Sequence, residues 1–362
     1  MPSTESVSHE DLILCACGDQ VYKTRDVIDA AEWRGDLEES WQRFLLRVEA
    51  EKHADELELD YEDDQIDAAA EAFRYERDLI TAEETEQWLS ARGLTLDDFG
   101  DHFTRCYWGN RLSEDVTVPE SRYVDAHGAT RQLFAAELIL SGEIDVLTNQ
   151  LVWRLGAARA EPKLSAEELA SAEANFFERH GIEAPDLPKW LENLGRDSAW
   201  FSEMQNAEAA YHHLRKTVLV PNAYRNELST LRLPLTRFFT EVVELESRDA
   251  AQEALFCVTE DAMSMEEVAA EGRYPFRQIN FLLEDLSPEL QQTFMSVAAG
   301  EFIEPIPRGD GFELCRIIDK TEPNAEDPAV KERVERRLLA RYFDDLAGRY
   351  VERRLGAVVT AE

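Results

Sequence analysis

Apolar residues recur at three- and four-residue spacings over most of the first 235 positions, the period of helices with one buried stripe. Leu37, Trp41, Phe44, Leu45 and Val48 mark one such stripe. A second helix is predicted from Asp63 to Glu76, with acidic residues at its start that suit the positive end of its dipole. Thr81-x-x-Glu84 is a capping box that opens a helix through Trp88, and Gly93 ends it. Thr95 or a neighbouring Asp starts the next helix, through Phe99, Phe103 and Tyr107. Ser165-x-x-Glu168 opens a later helix leading to Phe176. Before all of these, the Ile13 to Val27 stretch predicts two short strands around a Gly18-Asp19 turn.

The pattern repeats. Trp88-Leu89-x3-Gly93-x5-Phe99 recurs as Trp190-Leu191-x3-Gly195-x5-Phe201, an offset of 190 − 88 = 102 that also carries Leu112 to Leu214 and Val118-Pro119 to Val220-Pro221. Phe73 and Phe176 fall at nearly the same offset. A period of about 100 residues is too long for a solenoid unit and fits duplication of a helical module.

From Arg237 to Lys320 the pattern changes to strand, amphipathic helix, short acidic helix, strand, helix, then a tight turn into a last strand. With Leu286-x-Pro288-Glu289-Leu290, Gly300-Glu301, Pro305 and Gly311-Phe312-Glu313-Leu314, this order resembles the parvulin domain of SurA/PpiC-type peptidyl-prolyl isomerases and chaperones. The helical part, opening on Ile13 to Val27 and carrying the Trp-Leu…Gly…Phe hairpin, is similar to the amino-terminal chaperone domain of the same family. The resemblance implies an α+β fold, mostly α. It divides into one helical module over residues 1–118, a second over 119–235, a degenerate antiparallel parvulin-like domain over 236–321 and a carboxyl-terminal helix over 326–357. That helix, Pro328 to Leu355, shows Val330, Val334, Leu338, Leu339, Phe343, Leu346, Tyr350 and Val351 on one face. Family topology nominates the Trp41 to Val48 stripe as its partner.

Parvulin pockets usually hold one histidine on the first strand and another two residues after the late glycine. Here no histidine follows His213. Glu241 or Val242 stands at the first position and Glu313 at the second, and an ionised carboxylate cannot donate as imidazole does. By the same resemblance, Leu286, Leu290, Phe294 and Met295 line the proline pocket, unless they only pack the helix on its sheet. The expected site is therefore a peptide-binding one, Leu286, Leu290, Phe294, Met295 and Glu241, with no catalytic residue; an active isomerase would use Glu313.

Composition sets the remaining bounds. The 362 residues suffice for two or three domains, and 44% hydrophobic with 31% charged residues describe a soluble globular chain. No segment reaches the roughly 18 apolar residues of a membrane helix. Met1 to Glu5 has no basic run before an apolar stretch, and five cysteines without a pairing pattern favour a reducing compartment; both lead to the expectation of a cytoplasmic protein. A net charge of −37 excludes nucleic acid and acidic membranes as partners and favours a basic peptide, or serves solvation alone.

Other candidate chemistry is thin. Cys15-x-Cys17 places two thiols on one strand face, but no second pair completes a zinc set. Cys257 and Cys315 have no histidine beside them in sequence, and His212-His213 at a helix end suits the helix dipole. Carboxylate pairs such as Glu83-Glu84 are too numerous to single out. No metal and no cofactor is expected. The expected function is a non-catalytic chaperone or accessory protein that holds an unfolded or precursor peptide, as in ribosomal peptide maturation systems. The alternatives are an active parvulin-type isomerase and a structural subunit of a peptide-modifying enzyme complex.

Overall fold

Gly18, at φ +61°, closes the hairpin between β1 (Ile13–Cys17) and β2 (Gln20–Lys23). The computed structural model describes residues 9–60 and 63–354, so the leading Met1 to Glu5 segment and Leu355 lie outside the described residues. The architecture is α+β and mostly helical, with two small antiparallel sheets. The chain divides into two units, residues 1–217 with 342–362, and residues 218–341.

The first unit continues through α1 (Thr24–Arg34), α2 (Glu38–Glu56), α3 (Asp63–Glu76), α4 (Ala82–Ser90) and α5 (Leu96–Arg111). It then runs through α6 (Ala129–Ser141), α7 (Glu143–Arg159), α8 (Ala166–His180), α9 (Leu187–Leu194) and α10 (Ser198–Val218). Thr81, Thr95 and Ser165 each accept from the backbone N–H three residues on, so these three helices begin where the capping residues dictate. Gly195 ends α9 in the left-handed conformation at φ +69°.

The repeat is a geometric fact as well as a textual one. In the first copy Phe73 sits edge-on to Trp88 at 5.4 Å and to Phe99 at 5.2 Å. In the second, Phe176 sits edge-on to Trp190 and Phe201, both at 5.0 Å. The copies do not form separate modules at residue 118. Trp33 of α1 joins the second copy's cluster, stacked on Phe176, and a core shared this way makes one unit of both.

The second unit opens with α11 (Pro221–Thr230) and continues with β3 (Arg237–Leu245), α12 (Arg248–Thr259), α13 (Met265–Gly272), β4 (Phe276–Leu282), α14 (Pro288–Ser296), β5 (Phe302–Arg308) and β6 (Gly311–Thr321). The strands form an antiparallel sheet in the order β4-β3-β6-β5. One face packs Val243, Leu245 and Leu314 against Ala251, Ala254 and Val268 of α12 and α13. The other packs Phe238, Val242, Cys315 and Ile317 against Phe294 of α14. This is the strand and helix order that the parvulin resemblance implies.

Two expectations about the tail change. α15 spans Pro328–Ala347, and a short strand, β7 (Val351–Arg353), follows it and pairs with β1, with Val351 opposite Cys17. Val330, Val334 and Leu338 of α15 pack on Leu231, Leu235 and Leu282 in the second unit. Phe343 belongs to the first unit, 4.6 Å from the ring of Tyr211 in α10 and 5.9 Å from Trp153 in α7. The Trp41 stripe is not its partner. Trp41 is covered instead by Phe134 of α6 at 5.0 Å and by Tyr123 at 5.7 Å. The two compact units meet in sequence at 218 and 341, beside the expected domain boundaries at 235 and 326.

Candidate peptide-binding site

Alternation along β3 sorts the residues singled out from sequence. Odd and even positions point to opposite faces of a sheet. Val242 faces α14, whereas Glu241 faces away from it, within 3.6 Å of Arg316, and its Oε1 accepts from Gln278 at 3.3 Å. Leu286, Leu290 and Phe294 come together on the α14 face, and Glu241 does not join them. The pairing register is the reason: Glu241 lies opposite Gln278 and Arg316, one position out of phase with Val242 and Cys315.

The apolar wall is itself uneven. Phe294 is buried, edge-on to Phe281 at 5.3 Å and to Phe238 at 5.8 Å, so its ring belongs to the core. Lys320 closes this end of the wall. Its Nζ donates to the carbonyls of Phe294, at 2.8 Å, and Val297, and lies 5.0 Å from the Phe238 ring centroid. An ammonium at the carboxyl end of α14 satisfies carbonyls the helix leaves open. Leu286 and Leu290 are half-buried, and Met295 is exposed.

Glu313 occupies the α14 face at its far end. It accepts from Arg308 at 3.1 Å and from Arg277 at 3.3 Å, and Arg277 also pairs with Glu244. Two guanidiniums thus use the carboxylate as an acceptor.

The sheet edge adds a feature that apolar periodicity does not reveal. β4 is the outer strand, and Arg277, Gln278, Ile279 and Asn280 along it are exposed. Ile279, opposite Thr240, lies on the α14 face two residues from Phe281. The other edge, β5, carries Pro305 and Pro307, which cannot donate to an added strand. The alternation of Phe276 to Leu282 was the sequence signal, but only the strand order shows that it stands at an edge.

The remaining candidates resolve locally. Cys15 and Cys17 are both buried, and burial pushes the Cys15 thiol up to about 12. Burial does the same to Cys315. These thiols are packing groups. His212 and His213 are held by carboxylates, Glu208 at 2.9 Å and Glu168 at 2.8 Å, which replaces the helix dipole as their explanation. In the first unit, a 290 Å³ cleft lies between Glu32, Trp41, Arg122, Tyr123 and Arg179, where burial lifts the Glu32 carboxyl to about 7. No described helix is long and apolar enough to cross a membrane.

No protein-family model matches the sequence, and no curated protein matches it. Among solved structures, the chain is similar to a peptidylprolyl isomerase (PrsA) from Bacillus cereus, at 12% identity over 57% of this chain and 80% of that one, with a TM-score of 0.34. PrsA from Bacillus subtilis aligns at 14% identity over 60% of this chain and 84% of that one, with a TM-score of 0.22. A structure from the Campylobacter jejuni pair PEB4 and Cj1289, described as SurA-like chaperones, aligns at 10% identity over 60% and 89%, with a TM-score of 0.20. At such scores the likeness is partial, and the functional reading rests on this chain's own geometry.

Proposed function

We propose that the second unit binds extended peptide segments and that the protein is a non-catalytic chaperone or accessory protein. The observation that carries this is the exposed edge of β4 with Ile279 beside it on the α14 face, where Met295 is also exposed. A strand added to such an edge gains main-chain hydrogen bonds, and apolar side chains next to the edge select alternate residues of the peptide. The two guanidiniums on Glu313 and the lack of any histidine after His213 support binding over isomerisation.

The finer reading is a precursor peptide, held for a modification enzyme in a maturation system, with basic residues in the client favoured by the net charge of −37. Five unpaired cysteines support a cytoplasmic setting. Fluorescence anisotropy with labelled basic and acidic apolar peptides tests the reading. Micromolar binding of the basic series, weakened by Ile279→Asp, is expected. Absence of binding to either series would sink it, and copurification with an enzyme in that case would favour the structural-subunit reading. Acceleration of proline isomerisation in a tetrapeptide, abolished by Glu313→Ala, would overturn the non-catalytic assignment.

A further inference from the structure

In α5, His102 and Cys106 stand one turn apart on the same side of the helix. Cys106 Sγ lies 3.8 Å from His102 Nε2, and His102 Nδ1 lies 2.9 Å from Glu137 Oε2 on α6. Glu137 is in turn paired with Arg47 of α2, and Arg105 Nη2 is 3.7 Å from it. A sulfur, an imidazole and an orienting carboxylate in line are the arrangement that activates a nucleophile.

We propose that Cys106 is a reactive thiol, held as a thiolate against the His102 imidazolium, with Glu137 as a positioning residue that fixes the ring; its substrates are small soft electrophiles, hydrogen peroxide among them. The surroundings favour this ion pair. Burial would lower His102, but its hydrogen bonds to Cys106 and Glu137 overcome that and push it up to about 9. Arg105 is buried beside Glu137, and its Nε and Nη2 have no hydrogen-bond partner among the described residues. The charged groups on the carboxylate that holds the pair are Arg47 from α2 and Arg105 from α5.

A metal is the competing use of the same donors, whose ligand atoms lie within 4.8 Å of one another. The imidazole already spends Nδ1 on the carboxylate and Nε2 on the sulfur. Two arginines beside Glu137 also repel a cation. In the reaction with peroxide, the Cys106 sulfur attacks one oxygen and the O–O bond breaks. The departing hydroxide takes the His102 proton and leaves as water; the sulfur is oxidised to sulfenic acid and the peroxide is reduced.

Cys257 is the internal control, half-buried and in a unit without any histidine. Alkylation of the full chain by iodoacetamide, followed at Cys106 and Cys257 by peptide mass mapping from pH 5 to 9, tests the proposal. Cys106 is expected to hold its rate toward the acid end of this range, while Cys257 slows there. At pH 6.5 Cys106 should react about tenfold faster. His102→Gln should shift Cys106 to the Cys257 profile, and peroxide followed by dimedone should label Cys106 in the unmodified chain. Coincident profiles for the two thiols in the natural protein would overturn the proposal without recourse to any variant; a low-pH plateau that survives His102→Gln would remove the histidine from it.

Discussion

Trp33 lies stacked on Phe176, with ring centroids 5.5 Å apart and 23° between their planes. The equivalent ring in the other copy, Phe73, has Arg77 over it at 3.7 Å instead. The two halves of the repeat share one aromatic plan, but only the second is sealed by a residue from the start of the chain.

That asymmetry predicts unequal costs of truncation. Phe176→Ala should destabilise the first unit by about 3–5 kcal/mol, and Phe73→Ala by about 1 kcal/mol less, since Phe73 is nearer the surface and loses no tryptophan stack. Urea unfolding followed by tryptophan fluorescence reads the difference. Equal losses would mean that the Trp33 contact adds nothing.

Gly156 lets the end of α15 approach α7: a Cβ there would sit 2.8 Å from Ala347 Cα. Gly156→Ala is expected to cost about 1–3 kcal/mol, because backbone and not a flexible side chain must give way. Truncation after Asp327 should go further and lower the melting of both units, as α15 supplies Val330 and Val334 to one and Phe343 to the other. A second unit that still melted at its original temperature would contradict the assignment of Val330 and Val334 to its core.

Stability should fall on the alkaline side through His102. Its folded value, near 9, is raised above the unfolded one near 6.5, so its contribution is complete below about pH 6.5 and disappears as pH rises through 9. Glu137 acts at the other end. Burial would raise it, but His102 and then the two arginines outweigh burial and hold it low, so its contribution is present above its unfolded value and lost as pH falls through the folded one. Melting temperatures from pH 4 to 10 should therefore show an alkaline decline that His102→Gln flattens. A decline of the same size in that variant would place its origin elsewhere.

Phe294 and Met295 are neighbours with opposite expected phenotypes. Phe294→Ala should cost about 3–5 kcal/mol of the second unit's stability, because the ring is core. Met295→Ala should leave stability within about 0.5 kcal/mol and weaken peptide binding, since the side chain is exposed. Thermal melts and anisotropy titrations on both variants separate packing from recognition.

Much of the local structure was legible before any folding. The capping residues Thr81, Thr95 and Ser165, the stop at Gly195 and the repeated aromatics each act within one or two helical turns, so a few adjacent positions suffice to read them. The same range held the His102-x3-Cys106 pair, one helical turn apart, which a search for cysteines with a histidine immediately beside them passes over. The strand and helix order from Arg237 to Lys320 was legible too, through the change from a helical to an alternating period.

Contacts between distant segments were decided by the folded chain alone. Glu241 and Val242 read alike as candidates, and only pairing with Gln278 and Arg316 sends Glu241 to the face away from Phe294. The stripe from Val330 to Phe343 states that a partner exists but not which one; in the fold Trp41 lies against Phe134 of α6 and Phe343 against Tyr211. Glu137 reaches His102 from 35 residues away. Hydrophobic burial is non-directional, so periodicity shows which face is buried, while competition among all such faces selects what covers it.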